Sequence, residues 1–119
     1  MSDFDWVFDR LRGVMLPLVS GLDIQRDRVG DLYVDTFHMM KNKKPLWFGG
    51  VRIKKRYVSY HLIPVYVAPM LLAGVSSALL QRMQGKSCFN FKVVDEQLFE
   101  ELGRLTERGL EYYRECGYL

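Results

Sequence analysis

Two β-prone stretches separated by only two residues are the feature that most limits how this chain can fold. Residues 46–54 and 57–67 are rich in aromatic and β-branched side chains, and Lys55-Arg56 lies between them. So short a gap joins neighbouring antiparallel strands. Whether the turn contains two residues or four, the register is the same and places Gly50 opposite His61. The sequence therefore predicts a central β-hairpin of fixed register.

This register divides the hairpin into an apolar face and a polar face, because side chains alternate along a strand. The apolar face, which we expect to lie under helices, consists of Trp47, Val51, Ile53, Val58, Tyr60 and Leu62. The polar face consists of Arg52, Lys54, Tyr57, Ser59 and His61. Two cations, two hydroxyls and an imidazole without a carboxylate suit an anionic ligand, so these five residues form the candidate ligand-binding site. The alternative interpretation is an ordinary solvated sheet face.

The rest of the chain supplies helices at both ends and further strands between them. Apolar residues recur at helical spacing over residues 4–18, and a final helix follows Asp95. Strand patterns occupy residues 22–28, 32–39 and 88–93, with short helical pieces before the last of these. The order predicts an α+β fold: an antiparallel sheet of about four to five strands with helices packed on one face.

A pair of adjacent glycines interrupts the first strand of the hairpin. Glycine inside a strand weakens it unless a bulge or a close backbone approach requires the missing side chain. Gly49-Gly50 therefore predicts a bulge or close packing at this point.

Length and composition indicate one globular domain over residues 1–119. No apolar run approaches the roughly 20 residues that cross a bilayer, so no membrane association is expected. The chain begins with the acidic segment Met1–Asp5, which lacks the chemistry of a secretory signal. Cys88 and Cys116 are far apart in sequence, which favours two reduced thiols and a cytoplasmic location.

The sequence offers little for metal binding, catalysis or nucleic-acid recognition. The soft metal ligands are not closely paired, so no metal and no other cofactor is expected; they are His38, His61, Cys88 and Cys116. Ser59 and His61 share a strand face, but residues 41–94 contain no acid to orient the histidine, and no catalytic residue is predicted. The basic run over residues 41–56 belongs to a chain of net charge +3 only, and we expect it to be solvated rather than bound to nucleic acid.

Two segments resemble a known group of proteins. Residues 54–66 (KKRYVSYHLIPVY) and residues 82–92 (RMQGKSCFNFK) are similar to characteristic stretches of the YdhG-like bacterial domains of unknown function. The resemblance implies an α+β fold distantly similar to frataxin, and one branch of that wider group is associated with iron delivery. Frataxin-type iron binding uses an acidic ridge on the first helix, whereas here Asp5 and Asp9 alternate with Arg10 and Arg12.

These observations together favour a non-catalytic binding or carrier module, not an enzyme, that exists as a monomer or a weak dimer. Its partner is expected to be a small anionic ligand or a protein. A protein-interaction domain without a ligand is one alternative. A frataxin-like iron-binding protein is the other.

Overall fold

The computed structural model of the protein describes residues 3–119, so the first two residues of the predicted domain lie outside the described range. Within that range the elements follow one another as α1 (Asp3–Met15), β1 (Asp23–Arg28), β2 (Asp31–Met39), β3 (Pro45–Ile53), β4 (Val58–Leu62), α2 (Ile63–Val67), α3 (Ser77–Leu80), β5 (Met83–Gln84), β6 (Cys88–Phe91) and α4 (Glu96–Glu115). Single 3-10 turns, Leu16–Leu18 and Pro69–Leu72, follow α1 and α2.

The strands form one antiparallel sheet in the order β1-β2-β3-β4-β6-β5. The predicted α+β class is confirmed, but the sheet has six strands rather than four to five. The additional strand, β5, has only two residues, which is too short to show alternation in the sequence. It lies where the sequence indicated the end of a helical piece.

The helices pack on one face of the sheet and enclose the apolar core there. α1 contacts β3, β4 and α4. Asp95 caps α4 as predicted, since its Oδ1 accepts a hydrogen bond from the N–H of Leu98 at 3.1 Å. The largest fully buried side chains are Tyr60, Tyr113, Phe48, Phe89, Phe99, Leu11, Met15, Leu32, Leu62, Leu79, Leu102 and Leu105.

The central hairpin has the predicted register. Ile53 pairs with Val58, Arg52 with Ser59, Val51 with Tyr60, and Gly50 with His61. Val51, Val58, Tyr60 and Leu62 are buried beneath the helices, as the alternation requires. We call the opposite side of the sheet, on which none of the helices of residues 3–119 packs, the outer face.

Trp47 departs from the prediction, which placed it on the helix-covered face. β3 contains a β-bulge, because Val34 pairs with Gly49 whereas the next residue, Asp35, pairs with Trp47. The extra residue between them, Phe48, points into the core and is fully buried. The bulge shifts the alternation by one residue, so Trp47 lies on the outer face.

The glycine pair lies next to the bulge, at a close approach of backbones such as the sequence indicated. A Cβ atom on Gly49 would lie 2.4 Å from the carbonyl oxygen of His61, and one on Gly50 would lie 2.3 Å from that of Leu32. Both oxygens belong to neighbouring strands, so neither can move aside without disturbing the sheet. Only glycine fits at either position.

Both edges of the sheet are poor templates for a further strand. Four of the six residues of β1 are charged, and β5 is only two residues long. Among the helices of residues 3–119, none is both long enough and apolar enough to cross a membrane.

We predict that Gly50→Ala lowers the free energy of unfolding by about 1–3 kcal/mol, because the added methyl group meets backbone atoms of β2. Gly13→Ala is the matched control. Gly13 lies in α1 with nothing within 4 Å of its Cβ position, so alanine there should stabilise the protein by about 0.5–1 kcal/mol. Urea unfolding followed by far-ultraviolet circular dichroism measures both, and equal stability of the two variants would contradict the close approach at Gly50.

Candidate functional site

A row of contacting side chains crosses the outer face, with one residue from each of five strands. We call Arg26, Tyr33, Trp47, His61 and Cys88 the outer row. The Arg26 guanidinium carbon lies 4.6 Å from the centre of the Tyr33 ring. The Tyr33 and Trp47 rings are stacked at 5.3 Å, and the Trp47 and His61 rings lie 5.4 Å apart. The row ends where His61 Nδ1 meets Cys88 Sγ at 2.9 Å.

The absence of a side chain at Gly50 allows the outer row to close. Gly50 pairs directly with Tyr33 on one side and with His61 on the other. The Trp47 ring contacts both of these neighbours and fills the gap between them. Its indole Nε1 donates a hydrogen bond to the Gly49 carbonyl at 3.0 Å, which fixes the ring in this position.

A cavity of about 260 Å³ opens beside the outer row. It brings together three of the five predicted site residues, Arg52, Lys54 and His61. Its other lining residues are Arg26, Asp31, Leu32, Tyr33, Trp47, Gly50 and Val51. The cavity therefore has an aromatic wall and a cationic rim.

The charges around this cavity do not cancel. Asp31 is the carboxylate in its lining, and it is already bound by Arg26 at 2.7 Å and approached by Arg28 at 3.7 Å. The hydrogen bond from Arg26 to Asp31 raises the pKa of Arg26. Within residues 3–119, by contrast, no carboxylate lies within 4 Å of a side-chain nitrogen of Arg52 or Lys54. These two cations remain available to an anion.

The two remaining predicted residues do not line the cavity. Ser59 lies on the outer face, but it is buried and its hydroxyl donates to Asn90 Oδ1 at 2.8 Å. Tyr57 belongs to the turn before β4, where its carbonyl accepts from the N–H of Lys54 at 2.8 Å. The sequence placed Tyr57 on the polar face of the second hairpin strand, but this strand begins only at Val58.

The surroundings of His61 disfavour its charged form. Burial lowers the pKa of His61, and the positive charges of Lys54 and Arg52 lower it further. A neutral imidazole carries one N–H and one bare nitrogen. With the proton on Nε2, Nδ1 accepts the hydrogen bond of the Cys88 thiol.

Sequence reasoning missed the Cys88–His61 pair and the role of Trp47. Cys88 and His61 are 27 residues apart and meet because β6 pairs with β4, so that His61 lies opposite Cys88. Alternation along residues 88–93 indicated a strand but not its neighbour. For Trp47 the glycine pair was a signal of the bulge, although it did not tell on which side the extra residue would lie.

A larger cavity, of about 630 Å³, lies between α1 and β1. Arg12 and Asp27 in its wall form a two-pronged ion pair with both contacts at 2.7 Å, which lowers the pKa of Asp27. These groups satisfy each other, whereas Arg52 and Lys54 do not have such a partner. Size alone therefore does not make this cavity the better candidate.

No group of three or more His, Cys, Asp or Glu side chains within residues 3–119 is arranged to hold a metal ion. Comparisons with protein-family models, curated proteins and solved structures give no match.

We predict that the imidazole of His61 titrates below the value of about 6.5 that is usual for histidine, as measured by NMR. Lys54→Met should raise the pKa of His61 without restoring the usual value, because burial is the larger cause. Lys44→Met, in the exposed β2–β3 loop, removes the same charge elsewhere and should leave the titration unchanged.

The same shift makes stability depend on pH. Between the folded and unfolded pKa values of His61, the unfolded chain binds the proton and the folded protein does not. The free energy of unfolding therefore falls as the pH decreases through this window. His61→Gln should remove this part of the pH dependence; an unchanged profile would contradict the depressed pKa.

Proposed function

We propose that this protein is a non-catalytic binding module for a small anionic ligand, and that the outer face holds the ligand. The observation that carries the proposal is the pair of cations, Arg52 and Lys54, that border the cavity without a carboxylate partner. Charge-assisted hydrogen bonds to carboxylate or phosphate are stronger than neutral ones, and arginine can make two of them at once. Neutral His61 adds a donor or an acceptor but no charge.

The aromatic wall favours a ligand with a flat part. The indole of Trp47 borders the cavity beside the cationic rim, and the volume of about 260 Å³ suits a small molecule. A flat group against Trp47 with its carboxylate or phosphate toward Arg52 uses both features. Aromatic carboxylates and small phosphate compounds are thus the ligand class that we propose.

We infer a cytoplasmic, bacterial, YdhG-like domain from the two sequence segments described above. Both cysteines are unpaired, which supports a reducing compartment. The sheet with helices on one face is the architecture that the resemblance implies. The frataxin-like iron-binding alternative has less support, because Arg12 holds Asp27 and Arg10 holds Glu96 next to the acidic first helix.

The fluorescence of Trp47 offers a direct test of anion binding. The chain contains two tryptophans, and Trp6 is distant in sequence and about half exposed on α1. In a Trp6→Phe background, titration with inorganic phosphate or benzoate should give a saturable change in emission. Benzamide, which has the shape of benzoate without its charge, should bind at least about tenfold more weakly, as expected for loss of a charge-assisted bond.

The charge-removing variants complete this test. Arg52→Gln combined with Lys54→Gln should weaken benzoate binding at least about tenfold. Lys41→Gln combined with Lys44→Gln changes the net charge equally in the exposed β2–β3 loop and should have little effect. A titration without saturation, or equal losses in the two double variants, would rule out the site.

A second candidate function is a protein-interaction domain without a ligand, and one exposed apolar group favours it. Phe37, Met39 and Met40 are 70%, 56% and 46% exposed at the end of β2. Three residues of β2, 36–38, lie opposite the single residue Leu46 of β3, and this irregularity turns Phe37 outward. The occupant that we propose is a second copy of the chain, as a weak dimer.

If this candidate is correct, sedimentation velocity should show an average mass that rises with protein concentration. Phe37→Ser should abolish the rise by removing the most exposed of the three side chains. Val29→Ser removes an even more exposed apolar side chain from the β1–β2 turn and should not affect the rise. A constant monomeric mass for the unaltered chain would exclude the dimer.

A further inference from the structure

Cys88 and His61 are direct cross-strand partners whose side chains meet on the outer face. The thiol sulfur and imidazole Nδ1 are 2.9 Å apart, which is hydrogen-bonding distance. Both residues are half-buried, so neither is sealed from small molecules. A thiol beside a bare imidazole nitrogen is the arrangement that activates a cysteine for nucleophilic attack.

The imidazole is fixed in an orientation suited to removing the thiol proton. The Trp47 ring packs against it at 5.4 Å, and the hydrogen bond from Trp47 Nε1 to the Gly49 carbonyl holds the indole in turn. Burial and the charges of Lys54 and Arg52 lower the pKa of His61, which favours the neutral imidazole. In the tautomer with the proton on Nε2, Nδ1 is free of a proton and able to accept that of the thiol.

Cys88 lies on a strand without an acidic residue, between two strands that also have none. The neighbouring strands β4 and β5 carry no acidic residue, and Lys86 lies in the turn that joins β5 to β6. On the His61 side the nearest charged side chains are Arg52 and Lys54, both of which act on the imidazole. No carboxylate on these strands therefore opposes negative charge on the Cys88 sulfur as it attacks.

We propose that Cys88 is a nucleophilic thiol that captures small-molecule disulfides covalently, with His61 as its general base. In this step the Cys88 sulfur forms a bond to one sulfur of the disulfide while the disulfide bond breaks. The thiol proton passes to Nδ1 of His61. The departing sulfur leaves with the bonding electron pair and takes up that proton, so the disulfide is the oxidant and the product is a mixed disulfide on Cys88.

The experiment compares the two cysteines of the chain, each studied alone. Cys116→Ser leaves Cys88, and Cys88→Ser leaves Cys116, which is exposed at the end of α4. The probe is 2,2′-dithiodipyridine, an uncharged disulfide whose released thione is followed by absorbance. Because this probe is neutral, its reaction with Cys88 does not depend on the anion site proposed above.

We expect Cys88 to react faster than Cys116 even though Cys116 is more exposed. His61→Gln in the Cys116→Ser background should slow Cys88 at least about tenfold, since general-base assistance typically contributes more than this. His61→Asn serves as a second variant, and circular dichroism confirms that each variant is folded. In urea the two cysteines should react at similar rates, because the pair exists only in the folded chain.

Two results would overturn the proposal. One is a faster reaction at Cys116 than at Cys88 in the folded protein. The other is an unchanged Cys88 rate in both folded His61 variants. Replacing the probe with the dianionic 5,5′-dithiobis(2-nitrobenzoate) then separates the two proposals. If the Cys88 rate falls in the Arg52→Gln, Lys54→Gln variant with the dianionic probe but not with the neutral one, the result supports the anion site as well as the thiol.

Discussion

The close approach of backbones at Gly49-Gly50 is the constraint on which both faces of the sheet depend. It permits the bulge that turns Phe48 into the core and Trp47 out of it. The bulge is also anchored from the helical layer, since the hydroxyl of Tyr113 on α4 donates to the Trp47 carbonyl at 2.9 Å. The rings of Phe48 and Tyr113 pack edge to face, with their centres 5.8 Å apart. One irregularity in β3 thus joins the packing of the core to the position of the indole on the outer face.

Polar groups that become buried in this fold have partners, which limits the cost of removing them from water. Every buried side-chain nitrogen and oxygen in residues 3–119 has a hydrogen-bond partner. The Tyr60 hydroxyl beneath the helices lies 2.6 Å from Thr106 Oγ1, which in turn donates to the Leu102 carbonyl. Many cations of residues 3–119 form no ion pair with a carboxylate; Arg52 and Lys54 differ from the rest because they border the same cavity.

The sequence was sufficient for the parts of the fold that short-range rules determine. The two-residue gap predicted the β3–β4 register, and the Asp95 cap predicted the start of α4. It was insufficient where pairing is long-range. The neighbour of β6 depends on how the chain returns after α2 and α3, so the meeting of His61 with Cys88 could not be read from alternation. Trp47 was assigned to the wrong face because a bulge reverses parity, and a glycine pair indicates a bulge without giving its direction.

The two proposed activities of the outer face meet at His61, which borders the cavity on one side and contacts Cys88 on the other. Lys54 and Arg52 lower the pKa of His61 through their positive charges. An anion bound to these cations would offset that effect, so the imidazole would become a stronger base. By linkage, the protonated imidazole would also bind the anion more tightly. Ligand binding at the cationic rim and proton removal from the Cys88 thiol would then reinforce each other.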